Sequence, residues 1–248
     1  MLFRSLQPDY FKNYAALGNF YYLRYEFEEA VHQFQRMVQL APGQSLAHFT
    51  LSGPYLDMGR YADAESELRL AMQIQETSDV VHGLAVSLTY QDRDREAIRY
   101  YLRALELGPP PANKPLLYLN LGTSYRRSGQ PEAAKSAYNE ARDFAYSILE
   151  KNPKDGYMRS LVAYLLARLG DRQGAETNAV QALSFTPAVN VSWMVALTYE
   201  ALGERNRTLG IIKDSPDWLL RRLSRFPDLE DLQKDLRFQQ LLVSHHTQ

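Results

Sequence analysis

Residues 119–141 read LNLGTSYRRSGQPEAAKSAYNEA, and how this stretch divides decides the fold. Gly122 follows an aliphatic residue and Tyr125 comes three residues later. Gly129 marks a turn, and Pro131 opens a second helical run as a first-turn proline, where its missing N–H costs nothing. In that run Ala134 and Ala141 stand one heptad apart. Small side chains at such positions let two helix backbones approach closely, and large ones fill the adjoining groove. The stretch is a helical hairpin.

The same hairpin recurs at a spacing of about 34 residues along the chain. Its small first-helix position is filled by Gly18, Ser52, Ala85, Gly122, Ala163 and Ala196. Three residues later stand Tyr21, Tyr55, Leu88, Tyr125, Leu166 and Tyr199. The second helix brings Ala30, Ala64, Ala97, Ala134 and Ala175, with Thr208 in the last copy, and then Ala71, Ala104, Ala141 and Ala182. A hairpin of this size cannot bury its apolar face alone, so stacked copies share one core. Strand-like alternation is hard to find, and the expected class is all-α.

This pattern resembles the tetratricopeptide repeat, whose signature runs Trp-x-x-Leu-Gly-x-x-Tyr, then Ala-x-x-x-Phe, then Pro. The resemblance covers residues 11 to about 213, with the Trp position degenerate (Tyr14, His48, Val81, Tyr118, Arg159 and Ser192). It implies a right-handed α-α superhelix of about six hairpins. They are expected at 11–44, 45–77, 78–114, 115–155, 156–188 and 189–215, after a lead segment 1–10 and before capping helices 216–248. Trp218 and Leu219 are expected to cover the last hairpin. The ending DLRFQQLL, Asp235 to Leu242, resembles DPRFxxLL-like tails of bacterial tetratricopeptide proteins, without their proline. Such tails are often joined to Ser/Thr kinase-like or winged-helix regulatory domains.

Three irregularities break the register. GPPPANK adds residues between the third and fourth copies and suggests a stiff corner. The second helix of the fourth copy keeps helical spacing as far as Glu150, which makes either a longer packed helix or an apolar ledge. Pro54 falls inside the first helix of the second copy and cannot bond the carbonyl of Thr50. Either the kink frees an acceptor toward a ligand, or packing absorbs it.

Bulk properties narrow the function. The formal charge of -1 gives no basic face for nucleic acid. The absence of cysteine excludes disulfides and thiolate metal sites. No window approaches a membrane span, and the N-terminus shows no signal-peptide pattern. Walker, dinucleotide and kinase motifs are missing. Among the five histidines, His32, His48 and His82 lack zinc-helix spacing, and the terminal pair His245-His246 reads as an unstructured end. The acidic residues Glu26, Glu28, Glu29, Asp63, Glu65 and Glu67 read as solvated helix faces. Neither an enzyme nor a cofactor or metal is expected.

The resemblance implies that first helices line a concave groove for a peptide or partner helix. By register its wall includes Lys12, Asn19, Tyr22, His82, Tyr90, Asn120, Arg126, Arg127, Tyr157, Tyr164, Arg168 and Trp193. Tyr, Trp and Arg dominate binding energy when desolvated at an interface. Arg126, Arg127 and Arg168 suit a carboxylate or phosphate, unless acids on neighbouring copies pair with them. Trp193 serves the groove or inter-repeat packing. Co-chaperone members of the family clamp a terminal carboxylate with Lys and Asn side chains. Here Asn19 fits, but Ala15, Thr50, Asp79 and Gly83 stand at the other positions, so the clamp is absent. The expectation is an interaction scaffold for a protein or peptide, an anionic one among the options. The alternative is a regulatory module of a larger signalling protein. The expected setting is the cytoplasm, or the periplasm if the chain belongs to a membrane-anchored protein.

Overall fold

The computed structural model describes residues 10–244. Among them the secondary structure is helical, with no strand. The chain divides into two compact units, the first ending at Gly108 and the second beginning at Pro109. Unit 1 contains three hairpins: α1 (Phe11–Leu23) with α2 (Phe27–Leu40), α3 (Ser45–Asp57) with α4 (Tyr61–Ile74), and α5 (Ser78–Thr89) with α6 (Asp94–Glu106). Unit 2 opens with a 3₁₀ turn, Pro111–Asn113. Three further hairpins follow: α7 (Lys114–Arg127) with α8 (Pro131–Lys151), α9 (Gly156–Leu169) with α10 (Arg172–Phe185), and α11 (Val189–Ala201) with α12 (Arg205–Ile212). A tail of short elements completes it: α13 (Asp217–Leu223), a 3₁₀ turn Pro227–Leu229, α14 (Glu230–Gln233) and α15 (Leu236–Ser244).

The repeated columns are where the helices touch. Every small residue of the first-helix column is buried, as are Ala30, Ala64, Ala97, Ala134, Ala175 and Thr208 on the second helices. In the first and fourth copies the group received by the small position is the ring four residues beyond that alanine, Phe34 or Tyr138, rather than the first helix's own aromatic. A Cβ on Gly18 would lie 2.4 Å from the Phe34 ring, and one on Gly122 would lie 2.6 Å from Tyr138. Glycine is required there by close approach.

Each first helix stops in the same way, seven residues after its small position. Gly59, Gly129, Gly170 and Gly203 sit there with φ between 75° and 88°. In the first and third copies the position holds Tyr25 (φ 63°) and Asp92 (φ 58°) instead. In all six copies the next residue donates its N–H back to the carbonyl of the large column residue, from Glu26 to Tyr21 (3.0 Å) through to Glu204 and Tyr199 (2.8 Å). This six-to-one bond and left-handed residue form the Schellman stop, which satisfies carbonyls the helix leaves open.

The long helix of the fourth copy resolves as packing, and the helix of the second copy continues through its proline. α3 runs through Pro54, which is buried, and the Thr50 hydroxyl donates to the carbonyls of Leu46 and Ala47. The extension of α8 buries Ala145 and Leu149 in the core of unit 2, and Phe144 stacks on Tyr118 with centroids 5.7 Å apart. Two of the acids are not solvated. Glu65 bridges Arg69 and Arg93 at 2.7 Å each, and Glu67 holds the buried His48 ring at 2.6 Å.

Candidate functional site

Unit 2 brings four of the expected groove residues to one point. Arg126 and Arg127 end α7, while Tyr164 and Arg168 lie one turn apart on α9. They surround a carboxylate of the chain itself, that of Asp228 in the turn Pro227–Leu229, with 3% of its side chain exposed. Arg126 Nη2 stands 2.5 Å from Asp228 Oδ2 and Arg168 Nη2 stands 3.4 Å from the same oxygen. Arg127 Nε is 3.8 Å from Oδ1. The Tyr164 hydroxyl donates to Oδ2 (3.5 Å) and accepts from Arg168 Nε (2.9 Å). The acid that pairs with these arginines therefore comes from the tail, not from a neighbouring repeat.

Burial shapes the electrostatics of this cluster. Desolvation opposes the Arg126 cation, yet the Asp228 charge beside it holds its pKa above the ordinary guanidinium value. Burial pushes the Tyr164 phenol up, with Arg168 pulling the other way. Tyr164 is a neutral hydrogen-bond donor in this site.

The tail makes a second contact with the same face. Phe226 meets Trp193 of α11 edge-on, with centroids 5.2 Å apart and planes at 81°. The Arg222 guanidinium lies over the Trp193 ring, 4.7 Å from its centroid. Burial raises the pKa of the half-buried Tyr157 phenol, with Arg222 opposing. Such ring and cation–π contacts favour offset and edge geometries of this kind. Leu219, Leu220, Leu223, Leu229, Leu232 and Phe238 are buried in the core shared with Leu161, Leu165 and Met194. At the far end Asp235 bonds Arg237 and Arg205, and these bonds hold its carboxyl well below the usual carboxylate range.

The other expected residues do not form such a cluster. In unit 1, Tyr22 donates to Asp57 Oδ2 at 2.7 Å, joining α1 to α3. Lys12 and Asn19 are exposed, and Tyr90 stacks on Tyr61 with centroids 4.9 Å apart. His82 is half-buried beside the Tyr101 ring; desolvation pushes its pKa down to about 4, with Asp79 acting in the opposite direction. In unit 2, Asn120 is half-buried on α7. Arg222, Phe226 and Asp228 carry no repeat register, so only the acid in RFPDLED among arginines pointed to them. Among the described residues no group of three His, Cys, Asp or Glu side chains is placed to hold a metal, and no helix is long and apolar enough to cross a membrane.

A family model described as Tetratricopeptide repeat matches residues 116–141, the hairpin formed by α7 and the start of α8. No curated protein matches the chain in sequence. Solved structures share the fold. Cut9-Hcn1, an APC/C hetero-tetramer, is 16% identical over 98% of this chain and 44% of that chain, with TM-score 0.62. PilW, described as a widely conserved type IV pilus biogenesis factor, is 15% identical over 94% and 98%, with TM-score 0.57. PilF of Pseudomonas aeruginosa is 17% identical over 94% and 97%, with TM-score 0.56. The fold class is thus all-α, built from tetratricopeptide-type hairpins.

Proposed function

We infer that the chain is a non-enzymatic interaction scaffold that binds a protein or peptide segment on the first-helix faces of its hairpins. One observation carries this reading: three successive first helices of unit 2 hold a polypeptide segment through Asp228 and Phe226. Arginine-to-carboxylate and ring-to-ring contacts are the types that dominate protein interfaces. The equivalent face of unit 1, with Lys12, Asn19, Tyr22, His82 and Tyr90, is the surface we assign to an external partner. The formal charge of -1 favours a protein over nucleic acid. A second reading, a regulatory module within a longer bacterial signalling polypeptide in the cytoplasm or periplasm, is favoured by the same contact, since this face already binds a segment in cis.

The test is capture of a partner by the immobilised full chain, followed by titration of the purified partner. A Lys12→Glu, Asn19→Arg variant that keeps its helicity is expected to bind at least tenfold more weakly. Unchanged affinity would remove the unit 1 face from the proposal.

A further inference from the structure

The fit between the tail and the unit 2 face is incomplete. Three guanidiniums converge on one carboxylate, and Nε of Arg126 is buried without an acceptor. A buried donor without an acceptor loses its hydration with nothing in return. An anion with more acceptor oxygens would satisfy this cluster better than Asp228 does. A phosphoryl group offers three, with nearly two charges.

The tail also separates anchors from ligand-like contacts. Leu219, Leu220 and Leu223 before residues 224–228, and Leu229, Leu232 and Phe238 after them, are buried in the core. Residues 224–228 between these anchors are half-buried or exposed, and they carry both Phe226 and Asp228. Exchange would need only these two side chains, the Asp228 carboxylate among them with 3% of its side chain exposed, to leave the face while the flanking helices stay docked. A partner need not displace the whole tail, which its six apolar anchors oppose.

Resting on the scaffold reading above, we propose that residues 224–228 are an internal ligand, and that the face they cover is a receptor for a protein segment of matching form. That segment carries an aromatic ring two residues ahead of a phosphorylated side chain. The ring takes the place of Phe226 on Trp193, and the phosphoryl group takes the place of Asp228 among Arg126, Arg127 and Arg168. Binding exchanges one segment for the other and makes no or breaks no covalent bond.

The experiment uses three labelled peptides and the full chain. One peptide has the sequence of residues 222–232. A second carries phosphoserine at the position of Asp228, and a third carries alanine at the positions of Phe226 and Asp228. The phosphopeptide is expected to bind wild type at least tenfold more tightly than the unmodified peptide. Both should bind a Phe226→Ala, Asp228→Asn variant at least tenfold more tightly than they bind wild type. Adding Arg126→Ala and Arg168→Ala should abolish both, and the alanine peptide should bind nothing. Equal affinity for wild type and the vacated variant would overturn the proposal, as would no binding of the phosphopeptide to either. Should the double variant not fold, Asp228→Asn alone replaces it. A measurement on wild type stands independently of the variants: the phosphopeptide should speed amide exchange at residues 224–228 at least fivefold, and unchanged protection at saturation would overturn the exchange. Either failure leaves partner capture through unit 1 intact, so the two readings fall separately.

Discussion

In unit 1, Tyr22 of α1 reaches Asp57 of α3 and the first-helix face otherwise ends in side chains such as Lys12 and Asn19. In unit 2 the corresponding face carries Asp228 and Phe226 from the tail, pinned by three arginines and Trp193. Both units stack three hairpins on the same small and large columns and end each first helix with the same bond. The scaffold is common to both, and the difference lies in what the face holds. A repeat sets positions for side chains without deciding whether a partner or the chain itself meets them.

The sharpest way to break this comparison is to remove the acid from each face. Asp228→Ala leaves three guanidiniums without their carboxylate and is expected to destabilise unit 2 by about 3 kcal/mol, below the full cost of a buried pair because Arg126 is one-third exposed. Asp57→Ala removes the acceptor of the Tyr22 hydroxyl and should cost unit 1 about 1 kcal/mol. Both tryptophans, Trp193 and Trp218, lie in unit 2. Urea unfolding followed by tryptophan fluorescence reports that unit, and circular dichroism reports both. Equal losses would erase the distinction between the faces.

The shared scaffold should respond alike in the two units. Gly18→Ala and Gly122→Ala each drive a methyl into a ring, and each is expected to cost about 2 kcal/mol in its own unit. A neutral result at either would mean the column is looser than its geometry.

Titration should separate the units again. His82 in unit 1 has a folded pKa of about 4 against an ordinary 6.5. The unfolded state therefore binds the proton first, so unit 1 loses stability as pH falls from 6.5 and the loss levels off below about 4. His82→Gln should flatten that slope. Tyr157 and Tyr164 in unit 2 have pKa values raised above 10.0. Unit 2 should therefore lose stability as pH rises past 10.0, where the unfolded phenols ionise first. Unfolding midpoints across pH, read by the two probes, check both slopes.

The smallest effect expected is a gain. Asp92 holds a left-handed conformation that four other copies give to glycine, so Asp92→Gly should stabilise unit 1 by about 0.5 kcal/mol in the same unfolding assay, the relief being partly offset by the greater freedom of glycine in the unfolded chain.

Much of this was legible in the sequence because helix packing writes itself in short-range spacing. The small column and its partner alanines marked the contacts between helices, and Arg126, Arg127, Arg168 and Trp193 were placed on one face by register alone. Tyr25 and Asp92 were harder to read, since neither residue type advertises a positive φ; only their shared offset from the small column does. Asp228 stayed hidden for another reason. It lies 60 residues from Arg168, outside any repeat, and the same acid on an exposed turn would look identical in sequence. Long-range electrostatic pairing leaves no periodic trace. The division at Gly108 was visible only as the proline-rich insert beside it.

The most direct test of the account is a double-mutant cycle between Arg126 and Asp228, read by tryptophan fluorescence during urea unfolding of the full chain. If the tail sits on the unit 2 face through this pair, Arg126→Ala and Asp228→Ala should be coupled by about 1.5 kcal/mol or more. If the two changes add to within about 0.5 kcal/mol, the carboxylate is not held by these arginines in solution, and the face is open.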